Sequence, residues 1–162
     1  QYYRDNRLNP IHEGTHGIQG MDLLGRKVIM QGGAALAVLG ETIGETVTKA
    51  LDAGGDAAEY AQQLQRAVVR VGETTTALWS TGDPAVALAN STVYLEAVGH
   101  VVVAWIWLEQ LLAVGERDGA FYDGKRAAAR YFFRFELPKT GPQFDLLASL
   151  DRTTLDVDPS VL

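Results

Sequence analysis

The chain has 162 residues, 47% of them hydrophobic and 21% charged, with a net charge of −6 and a pI near 5.0. That length suits one domain with a sizeable core, and the acidic balance argues against nucleic acid as a partner, since no basic stripe is present to meet phosphates. The absence of cysteine excludes disulfides and thiolate chemistry, and is compatible with a reducing cytoplasm, the expected location.

Residues 15–29 read as a helix that follows a polar loop around Glu13, and Gly32-Gly33 is a break. Residues 34–51 form the next helix, weakened by Gly40 and Gly44 and ended by Gly54-Gly55. Over 57–79, Tyr60, Leu64, Ala67, Val68, Val71 and Leu78 alternate with Gln62, Gln63, Arg66, Arg70 and Glu73 at a helical period. Gly82-Asp83-Pro84 is a stop and restart, with Asp83 as N-cap and Pro84 in the first helical position. From there one long helix is expected to about Val114, burying Val86, Ala89, Val93, Ala97, Val101, Ala104, Leu108 and Leu111. Gly115 ends it. Residues 120–136 give another helix, closed by Pro138 and Gly141-Pro142, then a short helix over 142–150 and an acidic tail over 151–162.

No period-2 run is long enough for a sheet. The predicted fold is therefore all-α, an antiparallel bundle of about four to five helices. The helices over 57–79, 84–114 and 120–136 are expected to supply a core without residues 1–27. Ala97 to Leu108 is apolar but short of the roughly 20 residues of a membrane span, so a core helix is expected and no membrane span.

Glu13 stands in two overlapping patterns. His12-Glu13-Gly14-Thr15-His16 matches the H-E-x-x-H signature of zinc peptidases. That chemistry needs an unbroken helix and a third protein ligand. Pro10, Gly14, Gly17 and Gly20 oppose the helix, there is no cysteine, and the remaining histidine, His100, lies far along the chain in an apolar run. Glu41 and Glu45 could serve as third ligand but lie beyond Gly32-Gly33. No metal site is expected, and the peptidase reading stays as the weaker alternative.

The longer pattern is Arg4-Asp5, Arg7, Ile11, Glu13-Gly14-Thr15 and Ile18-Gln19. It resembles the flavin-dependent acyl-CoA dehydrogenases. The resemblance implies that Glu13 is the catalytic base, taking the pro-R α-proton of an acyl-CoA thioester while the β-hydrogen leaves as hydride to FAD. It implies Gly14 beside the substrate, and Thr15 and Gln19 beside the flavin. A carboxylate can do this if burial raises its pKa and if hydrogen bonds to the thioester carbonyl acidify the α-proton. Glycine after the base lets backbone come close to a ligand. His12 departs from the family, where tyrosine is common, and so does His16-Gly17, where a small polar pair is usual.

Residues 31–155 resemble an extra helical domain appended to one subgroup of these enzymes. The carrying stretches are Gly82-Asp83-Pro84 with Ala89-Asn90, Tyr94-Leu95-Glu96, Gly99-His100-Val101-Val102, Ala128 to Phe133, Glu136-Leu137-Pro138 and Leu146 to Leu150. The expected organisation is residues 1–30 as the end of the catalytic helical domain, 31–155 as the appended bundle and 156–162 as a tail. Since the chain starts at Gln1 in mid-motif, an excised C-terminal piece is expected, inactive alone and without bound FAD. The whole enzyme would take an acyl-CoA substrate, pass electrons to an electron-transfer acceptor, pack against its own N-terminal and β-domains, and form a homo-oligomer. The alternative from another class is a non-catalytic helical packing or oligomerisation module. A dehydrogenase-like protein turned to nucleic-acid binding is a further one, opposed by the acidic balance.

Three other features are notable. His100 is expected as a neutral core histidine with one hydrogen-bonded partner. Arg126, Arg130 and Arg134, with Lys125, share one helix face, expected as a solvated face pairing with nearby carboxylates rather than as a contact for CoA phosphates or another subunit. Tyr131, Phe132, Phe133 and Phe135 cannot all face one core, so some should cover a second surface.

Overall fold

The computed structural model describes residues 1–7 and 15–161. Among these, every regular element is helical, as the periodicity requires. A short α1 (Tyr2–Asn6) comes first. Helix α2 (Thr15–Asp22) runs into a π-helical turn (Leu23–Lys27), and a corner at Met30–Gly33 leads to α3 (Ala34–Ala53). Then follow α4 (Gly55–Ser80), α5 (Pro84–Leu88), α6 (Ser91–Val114), α7 (Ala120–Tyr131), α8 (Thr140–Ala148) and α9 (Thr153–Asp156).

The corner has Gln31, Gly32 and Gly33 at φ of 51°, 68° and 91°, and it sets the α2 segment and α3 at 76° to each other. Two of its three left-handed positions are glycine, which adopts them without a Cβ clash. Helices α3 and α4 fold back on one another through Gly54-Gly55 and pack together with α6.

Buried positions on α4 (Tyr60, Leu64, Ala67, Val71, Thr74, Leu78) and on α6 (Tyr94, Ala97, Val101, Ala104, Leu108) step by three or four. That spacing keeps one line of each helix facing the core. Helix α6 is the hub: α2, α3, α4, α7 and α8 all touch it. With 24 residues and a mean hydropathy of 1.7 over its apolar window, α6 is long and apolar enough to cross a membrane. Five helices pack on it, and 33% of that apolar window is buried.

Three expectations are corrected. First, the single helix over 84–114 is broken at Ala89-Asn90, where Asn90 leaves helical geometry at φ −116°, ψ 33°. The C-terminal segment holds the break open: Asn90 Nδ2 donates to the Asp151 carbonyl at 2.8 Å, and the Thr154 hydroxyl to that of Ala89 at 3.1 Å. Ala87, Tyr94 and Val98 are buried, while Val86, Ala89, Val93 and Leu111 are half-buried.

Second, the helix over 120–136 is α-helical only to Tyr131. A π turn (Phe132–Glu136) and a 3-10 turn (Leu137–Lys139) complete it. Phe133 stacks on Tyr60 in the core, with ring centres 4.5 Å apart. Tyr131 and Phe135 stack on each other at 5.0 Å on the surface, so these aromatics do divide between two sides.

Third, the core does involve residues 1–27, because Leu24 is fully buried in the same cluster as Tyr60, Tyr94 and Phe133. The tail also carries structure, in α9 and a 3-10 turn (Pro159–Val161).

Candidate functional site

Glu13, Gly14 and His12 lie outside the described residues. The segment that leads out of the motif is α2, which begins at Thr15, two residues after Glu13. His16, Gly17, Ile18, Gln19 and Met21 are all exposed on it. No hydrogen bond joins the Gln19 amide to any described residue. Among the described residues, no three histidine or acidic side chains gather in a way that could hold a metal.

The placement of α2 follows from Gly20. A Cβ there would meet the Ser91 carbonyl oxygen at 2.7 Å, so only glycine lets α2 lie this close to the start of α6. One turn on, Gly25 faces the Leu88 side chain, 3.3 Å from where its Cβ would be. The π turn then locks the register. Val28 N–H bonds to the Leu23 carbonyl, five residues back, and the Leu24 carbonyl accepts the Trp79 indole N–H at 3.2 Å. Outside, Asp22 pairs with Arg26 at 2.6 Å and lies 3.8 Å from Lys27. The Arg26 hydrogen bond holds the Asp22 carboxyl below the usual carboxylate range.

Two internal polar clusters hold the scaffold behind α2. Trp105 Nε1 donates to the Thr46 hydroxyl at 2.8 Å, and that hydroxyl donates to the Glu109 carboxylate, tying α3 to α6. Tyr94 and Thr75 share a hydrogen bond of 2.6 Å between α6 and α4, and burial pushes the Tyr94 phenol up. Neither cluster was found by sequence reasoning. The available signal was Thr46 and Thr75 falling on the buried line of their helices, one turn from Ile43 and Val71.

The family described as "Acetyl-CoA dehydrogenase C-terminal like" matches residues 39–158, which spans α4 to α9 and most of α3. The chain belongs to the acyl-CoA dehydrogenase family. A 3-methylmercaptopropionyl-CoA dehydrogenase of Ruegeria pomeroyi is 36% identical over 139 residues, covering 82% of this chain. A broad-specificity linear acyl-CoA dehydrogenase of Mycobacterium tuberculosis is 26% identical over 179 residues, covering 98% of it. A butyryl-CoA dehydrogenase of Syntrophomonas wolfei is 26% identical over 168 residues, covering 94%. The chain spans 24%, 28% and 27% of these relatives' own lengths.

The remaining features of this family member resolve into packing. Arg126 pairs with Asp123 at 2.9 Å and also donates to the Gly115 carbonyl at the end of α6, where a cation suits the helix dipole. Arg130 pairs with Asp56 at 3.2 Å. Arg134 makes no ion pair among the described residues. Lys125 bonds to Gln110 and lies over the rings of Trp107 and Phe121. His100 is half-buried rather than in the core: its Nδ1 is 2.9 Å from the Glu96 carbonyl and its Nε2 3.8 Å from the Glu136 carboxylate.

Proposed function

We propose that this chain is the C-terminal part of an FAD-dependent acyl-CoA dehydrogenase that converts an acyl-CoA to a trans-2-enoyl-CoA, with Glu13 as general base. The observation that carries the proposal is the run from Arg4 to Gln19 in a chain whose residues 39–158 match the family. When bound, FAD supplies the acceptor for the β-hydrogen, which leaves as hydride. The Glu13 carboxylate takes the α-proton, and the two lost hydrogens leave a 2,3 double bond. Gly14 permits close approach of substrate to the backbone.

The exposed face of α2 supports the flavin reading. Helix α2 opens at Thr15, where the first backbone N–H groups of a helix lack partners within it. Gln19 offers an exposed amide donor, and nothing lies within 4 Å of a Cβ built at Gly17. Thr15 and Gln19 are the residues that would hold the cofactor. Ile18 and Met21, 59% and 56% exposed, are where preceding domains of a longer chain would pack. In the whole enzyme electrons then pass to an electron-transfer acceptor.

A second reading applies to residues 31–162, as a packing or oligomerisation module without catalytic groups of its own. It is favoured by the engagement of Lys125, Arg126 and Arg130 in contacts inside the bundle.

The test is Glu13→Gln in the full-length enzyme. The amide keeps the shape but cannot accept the proton, so kcat should fall by roughly 10²–10⁴-fold with flavin still bound and substrate affinity nearly unchanged. Turnover close to that of the parent would assign the base to another residue.

A further inference from the structure

A cleft of about 590 Å³ opens between the start of α3, the middle of α4 and α6, within the roughly 300–1,000 Å³ usual for small-ligand sites. Leu36, Ile43, Val71, Val101 and Trp79 are among its walls, and no charged side chain lines it. Two hydroxyls reach it, and both are already committed. Thr75 donates to the Val71 carbonyl at 2.7 Å and meets Tyr94; Thr76 donates to the Gly72 carbonyl at 2.9 Å. The Trp79 N–H is taken by Leu24. The hydroxyl protons and the indole N–H are thus already donated, so these side chains leave no free donor for a ligand carbonyl or carboxylate, only hydroxyl oxygens that can accept.

Two lining residues, Gly40 and Gly72, are glycines inside helices, where glycine weakens the helix relative to alanine. A Cβ at either would meet nothing within 4 Å, so no crowding requires them. Their effect is to leave the cleft open.

We propose that this cleft binds a linear aliphatic chain such as the tail of a medium-chain fatty acid, its polar head left at the open side in water. An extended peptide segment would bring backbone carbonyl groups that need donors, and the side chains lining the cleft have no free donor to give. An alkyl chain brings no such groups. The cleft shares no residue with the Arg4–Gln19 motif, so the proposal stands apart from the dehydrogenase reading.

Dodecanoate, kept below its micelle-forming concentration, is titrated into the 162-residue chain by calorimetry. One saturating site and a higher Tm are expected. Gly72→Leu and Gly40→Leu should fill the cleft and weaken binding more than about tenfold, the scale on which apolar pockets discriminate single methylene groups. Their helical circular dichroism and Tm should match or exceed the parent's. A brominated fatty acid should quench indole fluorescence, and Trp79→Phe should remove most of that quenching. If a leucine variant does not fold, the quenching comparison decides. Absence of saturable binding overturns the proposal, as does binding unchanged in a folded Gly72→Leu chain or quenching unchanged in Trp79→Phe.

Discussion

The Trp105 indole N–H bonds to the Thr46 hydroxyl at 2.8 Å across the contact between α6 and α3, and Thr46 is only 2% exposed. Because the same hydroxyl donates to Glu109, a single small side chain satisfies one donor and one acceptor of the neighbouring helix.

Thr46→Val keeps the shape and removes both bonds. It should cost about 1–3 kcal/mol, the penalty of leaving buried polar partners unmade. Thr46→Ser should recover most of it. Urea unfolding followed by circular dichroism measures both, and equal stability of the valine variant and the parent would show the network to be dispensable.

Gly20 and Gly17 stand one turn apart on α2 and should respond oppositely to alanine. Gly20→Ala places a methyl 2.7 Å from the rigid Ser91 carbonyl and should destabilise by about 1–3 kcal/mol as α2 shifts. Gly17→Ala meets nothing within 4 Å and should stabilise by up to about 1 kcal/mol through helix propensity. Thermal melts of the two variants give the comparison. In the full-length enzyme Gly20→Ala should also depress turnover, because α2 carries the residues that follow Glu13.

The isolated chain should fold and yet bind no FAD. Its core joins the π turns at Leu23–Lys27 and Phe132–Glu136 to α3, α4, α5, α6 and α8. Only α2 would contribute to the flavin site, whereas small-ligand sites enclose most of their ligand. Purified protein should be colourless, and added FAD should leave its Tm unchanged. A yellow preparation would place the whole flavin site within these 162 residues.

Acid should weaken the fold through paired carboxyls. Asp22 is held below its ordinary value of 3.8 by Arg26, and Asp156 below the same value by Arg152. Glu136 is held below 4.5, first by its hydrogen bond with Lys139. In each case the ionised form is favoured by folding. Its contribution is complete above the unfolded-state value and is lost as pH falls through the lower folded-state value. Tm should therefore hold down to about pH 4.5 and decline below it. These pairs are at the surface, so high salt should flatten the decline, and Glu136→Gln should reduce it. A Tm that rises on acidification would contradict the sign.

Much of the bundle was legible in the chain itself. The line from Tyr60 through Leu64 to Leu78, the Asp83-Pro84 restart and the glycine stops are local, because helical periodicity and capping depend on residues within a turn or two. The Asp83 side chain does accept from Ala85 N–H at 2.9 Å, as an N-cap should. Family membership was legible for the same reason: the motif residues and the stretches through 82–150 are contiguous in sequence.

Tertiary structure alone decided the rest. The break at Ala89-Asn90 is bonded by Asp151 and Thr154, more than sixty residues away, and its one local signal is Asn90, a residue type that favours the N-cap of a helix. The π turn at Phe132–Glu136 divides four aromatics between the core and the surface only because Tyr60 waits across the interface. Leu24 enters the core because Gly20 lets α2 approach Ser91 and because Trp79 reaches the carbonyl that the π turn frees. Each is a contact between residues far apart along the chain. Sequence pattern states which side of a helix is apolar, and only packing states what that side meets.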